Sequence, residues 1–388
     1  MHWLLKPAAA ALTCCFAFSF PGLKNNKITT GIFAEGAAPA PKIQAAILLD
    51  VSNSMDGLIE QAKAQLWNMV SIMGKATCDG TAPQIEIALY EYGRSSNDAK
   101  QGFVKQIAPF SSDLDNLSQQ LFKLTTNGGD EYCGHVIYTS LNELKWDTAL
   151  QSYKVIFIAG NEDFLQGNIL YTDACAMAKK KGVIVNTIYC GDRMQGIKEH
   201  WNLAGECGNG SFTNINSDAR PADIPTPYDS TLFVLNEKLN TTYLYYGAEG
   251  RSNYARQGYI DMANSSINKT TAANRAAVKA NKQLYNNATW DLLDAAAADS
   301  TLINKVDMKT LPDSLKNKSR AELKKIIEIK NAERAAIQKE IISLNTHRES
   351  FMIKERAKTA AASNTPTLEM EVERIIKQQA KRFNMIIQ

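Results

Sequence analysis

Apolar and polar positions along the chain follow two different rhythms. From residue 42 to residue 216, short apolar runs alternate with amphipathic stretches. Lys42–Asp50 reads as a buried strand, and Asp56–Met73 as a helix with Leu58, Ile59, Ala62, Leu66, Met69, Val70 and Met73 near helical spacing. Gln84–Tyr92 and the shorter 103–110 read as strands, and 111–123 as a helix opened by Ser111-Ser112-Asp113. A glycine-containing loop, 125–133, leads into a helix reaching about Trp146. The pattern then predicts a strand at 153–159, a helix over Tyr171–Lys181 ended by Gly182, a strand at 183–189, a helix at 193–204 and a last strand at 211–215. Apolar strands alternating with helices predict an α/β fold: a doubly wound, mostly parallel sheet covered on both faces, with right-handed crossovers.

After about Asp218 the strand signal stops. Pro221, Pro225 and Pro227 mark a loop, and 230–246 reads as a tyrosine-rich helix. From Ala248 the chain is mostly Ala, Asn, Lys and Glu, which predicts an all-α C-terminal region. Ser319-Arg320-Ala321-Glu322 is a capping box. It opens a helix whose stripe (Leu323, Ile326, Ile327, Ile337, Ile341, Leu344, Phe351) is interrupted by Lys330 and Arg334, unlike a clean coiled-coil seam. Thr365-Pro366-Thr367 breaks it, and an amphipathic helix with Leu368, Val372, Ile375, Ile376 and Phe383 follows. Such stripes pack on one another, on the α/β domain or on a partner; an intramolecular helical hairpin is the favoured reading. The expected division is 1–36 as targeting segment, 37–42 as linker, 43–217 as the α/β domain and 218–388 as the helical region.

Composition changes this picture little. The 388 residues are 45% hydrophobic with a net charge of +3, and no basic cluster is interleaved with aromatics, so nucleic acid is not an expected partner. The N-terminus changes it more. Residues 7–23 are apolar and uncharged, Lys24 and Lys27 close them, and Ala34-Glu35-Gly36-Ala37-Ala38 follows as a cleavage zone. This implies export to the periplasm or cell envelope, with cleavage or with an uncleaved membrane anchor. Ala11-Leu12-Thr13 before Cys14-Cys15 fits a lipoprotein site poorly. Cys78, Cys133, Cys175, Cys190 and Cys207 lie beyond this segment, none in a C-x-x-C pair; export permits disulfides, and the odd number leaves a thiol over.

The sharpest chemistry sits where the first strand ends. Asp50-Val51-Ser52-Asn53-Ser54 presents one carboxylate and two hydroxyls at a strand tip, where open α/β sheets bind ligands. These hard oxygen donors suit Mg²⁺, Mn²⁺ or Ca²⁺. The competing reading is that Ser54 or Asp56 only caps the following helix. His135 and His200 have no second ligand at helical spacing and read as ordinary surface or core residues.

In this setting Asp50, Ser52 and Ser54 resemble the metal-ion-dependent adhesion site of von Willebrand factor A domains, and the element order over 42–216 resembles that fold. The resemblance implies a threonine from a second loop, an aspartate from a third, and a coordination position left for an acidic residue of a protein partner. In the second loop, Thr125-Thr126-Asn127-Gly128-Gly129-Asp130-Glu131-Tyr132-Cys133-Gly134, Asp130 stands where the threonine is usual, with Glu131 and Thr126 as alternatives. In the third, Gly160 replaces the usual aspartate; Asn161, Glu162 or Asp163 can substitute, directly or through water. Cys133 and Cys190 fall at the same end of the sheet, as a disulfide or as two thiols. The whole chain also resembles exported bacterial proteins in which such a domain precedes a helical region. Ala159-Gly160-Asn161-Glu162 and Trp290-Asp291-Leu292-Leu293-Asp294 help carry that likeness.

The expected function is non-enzymatic, cation-dependent protein binding in the cell envelope. The alternative is a structural or assembly protein acting through its helical tail, with a vestigial metal site. An enzyme reading, with Asp50 as a phosphoaspartate nucleophile, lacks the second aspartate: Ser52 stands there. No dinucleotide fingerprint, phosphate-binding P-loop or nucleophile elbow is present.

Overall fold

β1 (Lys42–Asp50) is buried along almost its whole length because it has neighbours on both edges and helices on both faces, which is why Ala45, Ala46, Ile47, Leu48 and Leu49 alternate with nothing polar. The structure, a computed structural model, describes residues 41–216, 223–360 and 368–387. The targeting segment, residues 37–40 of the linker and the Thr365-Pro366-Thr367 break lie outside these.

After β1 come α1 (Asp56–Met73), β2 (Ala76–Cys78), β3 (Gln84–Tyr92), β4 (Lys105–Ser111), α2 (Leu114–Lys123) and α3 (Cys133–Glu143). Then follow β5 (Tyr153–Gly160), α4 (Tyr171–Lys181), β6 (Ile184–Cys190), α5 (Arg193–Lys198), α6 (Trp201–Cys207) and β7 (Asn209–Ile215). Six strands form one sheet in the order β4-β3-β1-β5-β6-β7. All its pairings are parallel except β3 with the edge strand β4. α1 and α2 cover one face through Leu58, Trp67, Leu117 and Leu121, and α3, α4 and α6 cover the other through Val136, Ala174 and Trp201. This is the doubly wound, von Willebrand A-like fold expected. The helix expected over 193–204 is two helices, because His200 takes a left-handed backbone (φ +68°).

The helical region contains α7 (Asp229–Asn240), α8 (Gly250–Ile267), α9 (Lys269–Ala280), α10 (Leu292–Ala298), α11 (Leu302–Lys305), α12 (Arg320–Ala360) and α13 (Leu368–Ala380), then a short β8 (Met385–Ile387). α7 stops six residues short of expectation because Tyr243-Leu244-Tyr245-Tyr246 runs along Trp290-Asp291 instead: Tyr246 N–H donates to the Trp290 carbonyl at 2.8 Å and Tyr243 stacks on the Trp290 ring.

The α12 stripe is consumed within the chain. Leu323 and Ile327 pack with Leu292, Leu293 and Leu311, while Ile337 and Ile341 pack with Leu232, Leu235 and Leu239. Arg334, which interrupts the stripe, is buried against Asp291 and Asp294 at 2.7 and 3.1 Å and lies over the Tyr243 ring. α13 does not form the expected hairpin seam with α12. It returns to the sheet beside α1, where Leu368, Val372, Ile375 and Ile376 join the core of the α/β domain. There Gln379 exchanges buried amide hydrogen bonds with Asn186 of β6 and accepts from Tyr153 of β5, and β8 pairs antiparallel with β2. Arg275 of α9 closes the contact, buried between Asp115 of α2 and Asp261 of α8 and stacked on Trp67 of α1. None of the helices among the described residues is long and apolar enough to cross a membrane.

Candidate metal centre

Register places Asp50 at the C-terminal tip of β1, level with Tyr92 at the tip of β3. The turn after it is held to β3 and to the second loop: Val51 N–H donates to Tyr92 O, Asn127 N–H to Val51 O, and Gly128 N–H to the Asn53 side chain, at 2.8–3.0 Å. Gly129 lies so close to Gly93 and Ser95 that a Cβ would stand 2.6 Å from the Ser95 nitrogen, so only glycine lets the loop approach.

Asp50 is fully buried. Its Oδ1 accepts from Ser52 N–H at 2.7 Å, and its Oδ2 has no hydrogen-bond partner. The Ser52 and Ser54 hydroxyls are 3.3 Å apart, and Asn161 of the third loop reaches Ser54 at 3.3 Å. Neither the short turn Asn53–Met55 nor α1 is capped by a side chain, so the capping reading finds no support in the geometry.

The second loop places its acids differently from the counting argument. Asp130 is exposed and accepts from the Tyr132 hydroxyl at 3.1 Å. Glu131 is buried and lies beside Asp50, its Cγ and Asp50 Oδ1 both against Gly93. Thr126 donates to Asp56 at the start of α1. In the third loop, Glu162 bears electrostatically on both Asp50 and Glu131, while Asp163 turns away to Leu165 N–H and His200.

Tyr92, which sequence reasoning passed over, explains why glycine stands at 160 in the third loop. A Cβ on Gly160 would run into the Tyr92 hydroxyl and stand 3.0 Å from Asp50 Oδ2. Tyr92 is buried, donates to Ala159 O at 3.0 Å and occupies the room an aspartate at 160 would need. The strand register that aligns Tyr92 with Asp50 was the available signal. Cys133 and Cys190 are buried free thiols, with Cys133 Sγ 3.7 Å from the Tyr92 hydroxyl. The disulfide joins Cys175 of α4 to Cys207 of α6.

Burial pushes the Asp50 carboxyl up to about 7; hydrogen bonds from Ser52 oppose this, and the Glu162 charge adds to it. Glu131 is likewise pushed up to about 7, by burial first and then by Asp50 and Glu162. The Cys133 thiol is pushed well above its usual value by burial. Among the described residues no three His, Cys, Asp or Glu side chains gather as a metal-binding group, so any ion would depend on hydroxyl donors as well. Two converging carboxylates, two hydroxyls and a buried, unpartnered carboxylate oxygen fit a small hard cation.

The sheet order and the place of this strand-tip constellation are those of a von Willebrand A-like fold. No protein-family model and no curated protein matches the chain. Solved structures similar to it include an aerotolerance-related membrane protein from Bacteroides fragilis (16% identity, 45% of this chain and 93% of that one, TM-score 0.32). Another is the VWA domain of SpRpn10 (15% identity, 45% and 88%, TM-score 0.34). A third is proximal thread matrix protein 1 of the mussel byssus with a zinc-occupied MIDAS motif (13% identity, TM-score 0.33). The match to the mussel protein covers 45% of this chain and 41% of that one.

Proposed function

We propose that this chain is a non-enzymatic, protein-binding protein of the bacterial cell envelope that captures an acidic side chain of its partner through a divalent cation. Asp50, Ser52, Ser54 and Glu131 would hold the ion, with Glu131 taking the role that counting gave to Asp130. The observation that carries this reading is the buried Asp50 Oδ2, which has no hydrogen-bond partner among the described residues at a strand tip that also carries the paired Ser52 and Ser54 hydroxyls and Glu131. An unpaired buried carboxylate oxygen is costly unless something else binds it. Glu162 adds negative charge nearby, which strengthens cation binding and weakens the pull on an incoming carboxylate.

The tail-mediated assembly reading draws less support, because the buried part of the α12 stripe and the α13 face are already covered within the chain. Thermal unfolding with and without millimolar Mg²⁺, Mn²⁺ or Ca²⁺ tests the proposal, since an ion bound only by the native state must stabilise it. Partner capture from envelope extract should vanish with chelator and in Asp50→Ala. Capture that survives both would overturn the reading.

A further inference from the structure

The opposite end of the sheet carries a second site of different character. At the N-terminal ends of β5, β6 and β7, about 25 Å from the Asp50 tip by strand length, a cavity of about 820 Å³ opens. Six cations line it: Lys145, Lys154, Lys179, Lys180, Lys181 and Arg382. None of them has a carboxylate within ion-pair distance among the described residues. The one acid on the wall, Asp147, spends its carboxylate on its own loop, accepting from Ala149 N–H at 3.0 Å and the Ser152 hydroxyl at 2.9 Å. Lys154 is buried and fixed, donating to the carbonyls of Asp147 and Lys181 at 2.9 and 2.6 Å.

The favourable field at the C-terminus of α4 accounts for lysines in that helix's last turn. It does not account for Lys145, Lys154 and Arg382, which three other segments bring to the same cavity. Like charges without a carboxylate partner repel, so their convergence favours binding of an anion from outside the chain. The rim is also amphipathic. Leu150 is 92% exposed, and the Trp146 ring and Phe383 line the wall beside the lysines. A soluble anion has no use for such a rim, whereas a bilayer surface offers phosphates with apolar chains beneath them. The chain also reaches the sheet here: Gln44 near the start of β1 bonds Lys145 O and Asp147 N–H, and the uncharged apolar run 7–23 lies upstream of it in sequence.

We infer that this basic cavity binds the phosphate of anionic phospholipid headgroups and seats the domain on a membrane with Asp50 at the far end. The inference is independent of the cation proposal. The test is co-sedimentation of the full chain with vesicles of 30% phosphatidylglycerol in phosphatidylcholine against pure phosphatidylcholine. Insertion of the apolar run would contribute to both. The expected result is at least tenfold stronger binding to the anionic vesicles, lost at high salt. Lys179→Glu/Lys180→Glu should abolish that preference, and Lys324→Glu/Lys325→Glu on the exposed face of α12 should leave it intact, both with unchanged thermal unfolding. Equal binding to the two vesicle types, or equal loss in both double variants, would overturn the inference. So would displacement by low-millimolar inorganic phosphate without any vesicle preference, which would identify a soluble phosphate instead.

Discussion

Two buried acidic clusters in this molecule resolve the same electrostatic problem in opposite ways. Where the helical region docks, Asp115 and Asp261 meet Arg275 and Lys279, and the two cations hold Asp261 well below the usual carboxylate range despite its burial. At the strand tips, Asp50 and Glu131 meet only hydroxyls, backbone and Glu162, and both are pushed up. One cluster carries its own cations and is architecture. The other has none among the described residues, and that deficit is what the proposed cation would fill.

Breaking the first cluster should have the largest effect. Arg275→Met takes from Asp115 its cation and leaves Asp261 with Lys279, and should cost roughly 3–5 kcal/mol in denaturant unfolding. Adding a carboxylate to the second comes next. Gly160→Asp must displace the Tyr92 hydroxyl and should cost about 2–4 kcal/mol. Most of that should return in the Tyr92→Phe/Gly160→Asp double variant, and strictly additive costs in the cycle would refute the packing explanation.

Adding the proposed divalent cation is third: at a hundred times its dissociation constant it should stabilise by about 2.7 kcal/mol, seen as a concentration-dependent rise in Tm. Acid comes fourth. Because the folded pKa of Asp261 is depressed, its contribution is present above the unfolded value near 3.9 and is lost as pH falls below it. Unfolding titrations from pH 6 to pH 2 should show a loss on the order of 2 kcal/mol from this group, absent in Asp261→Asn. The smallest effect has the opposite sign: Asp50→Asn, measured at pH 8 in chelator, should gain about 1–2 kcal/mol by removing an uncompensated buried charge. A loss there would mean that the two clusters are alike.

Much of the fold was legible. Lys42–Asp50, Asp56–Met73, Gln84–Tyr92 and Tyr171–Lys181 have the expected bounds, because their apolar spacing is strong and their ends carry local signals. The break at His200 was not, since a left-handed non-glycine residue is chosen by tertiary contact, here with Asp163. The destination of α13 was not either, because an amphipathic stripe says that a face is covered and not by what. At the site, Asp50, Ser52 and Ser54 could be placed from strand position. Asp130 and Glu131 could not be told apart by counting, because neighbouring loop residues face different ways. Tyr92 and Gly160 lie far apart in sequence, and only the sheet reveals that one fills the other's space.

The return of α13 also sets an order of events during synthesis. The sheet face beside α1 is finished by Leu368, Val372, Ile375 and Ile376, which the ribosome adds on the order of ten seconds or more after β7. Until then the emerging α/β domain exposes part of its core, so a growing chain stays open to chaperones.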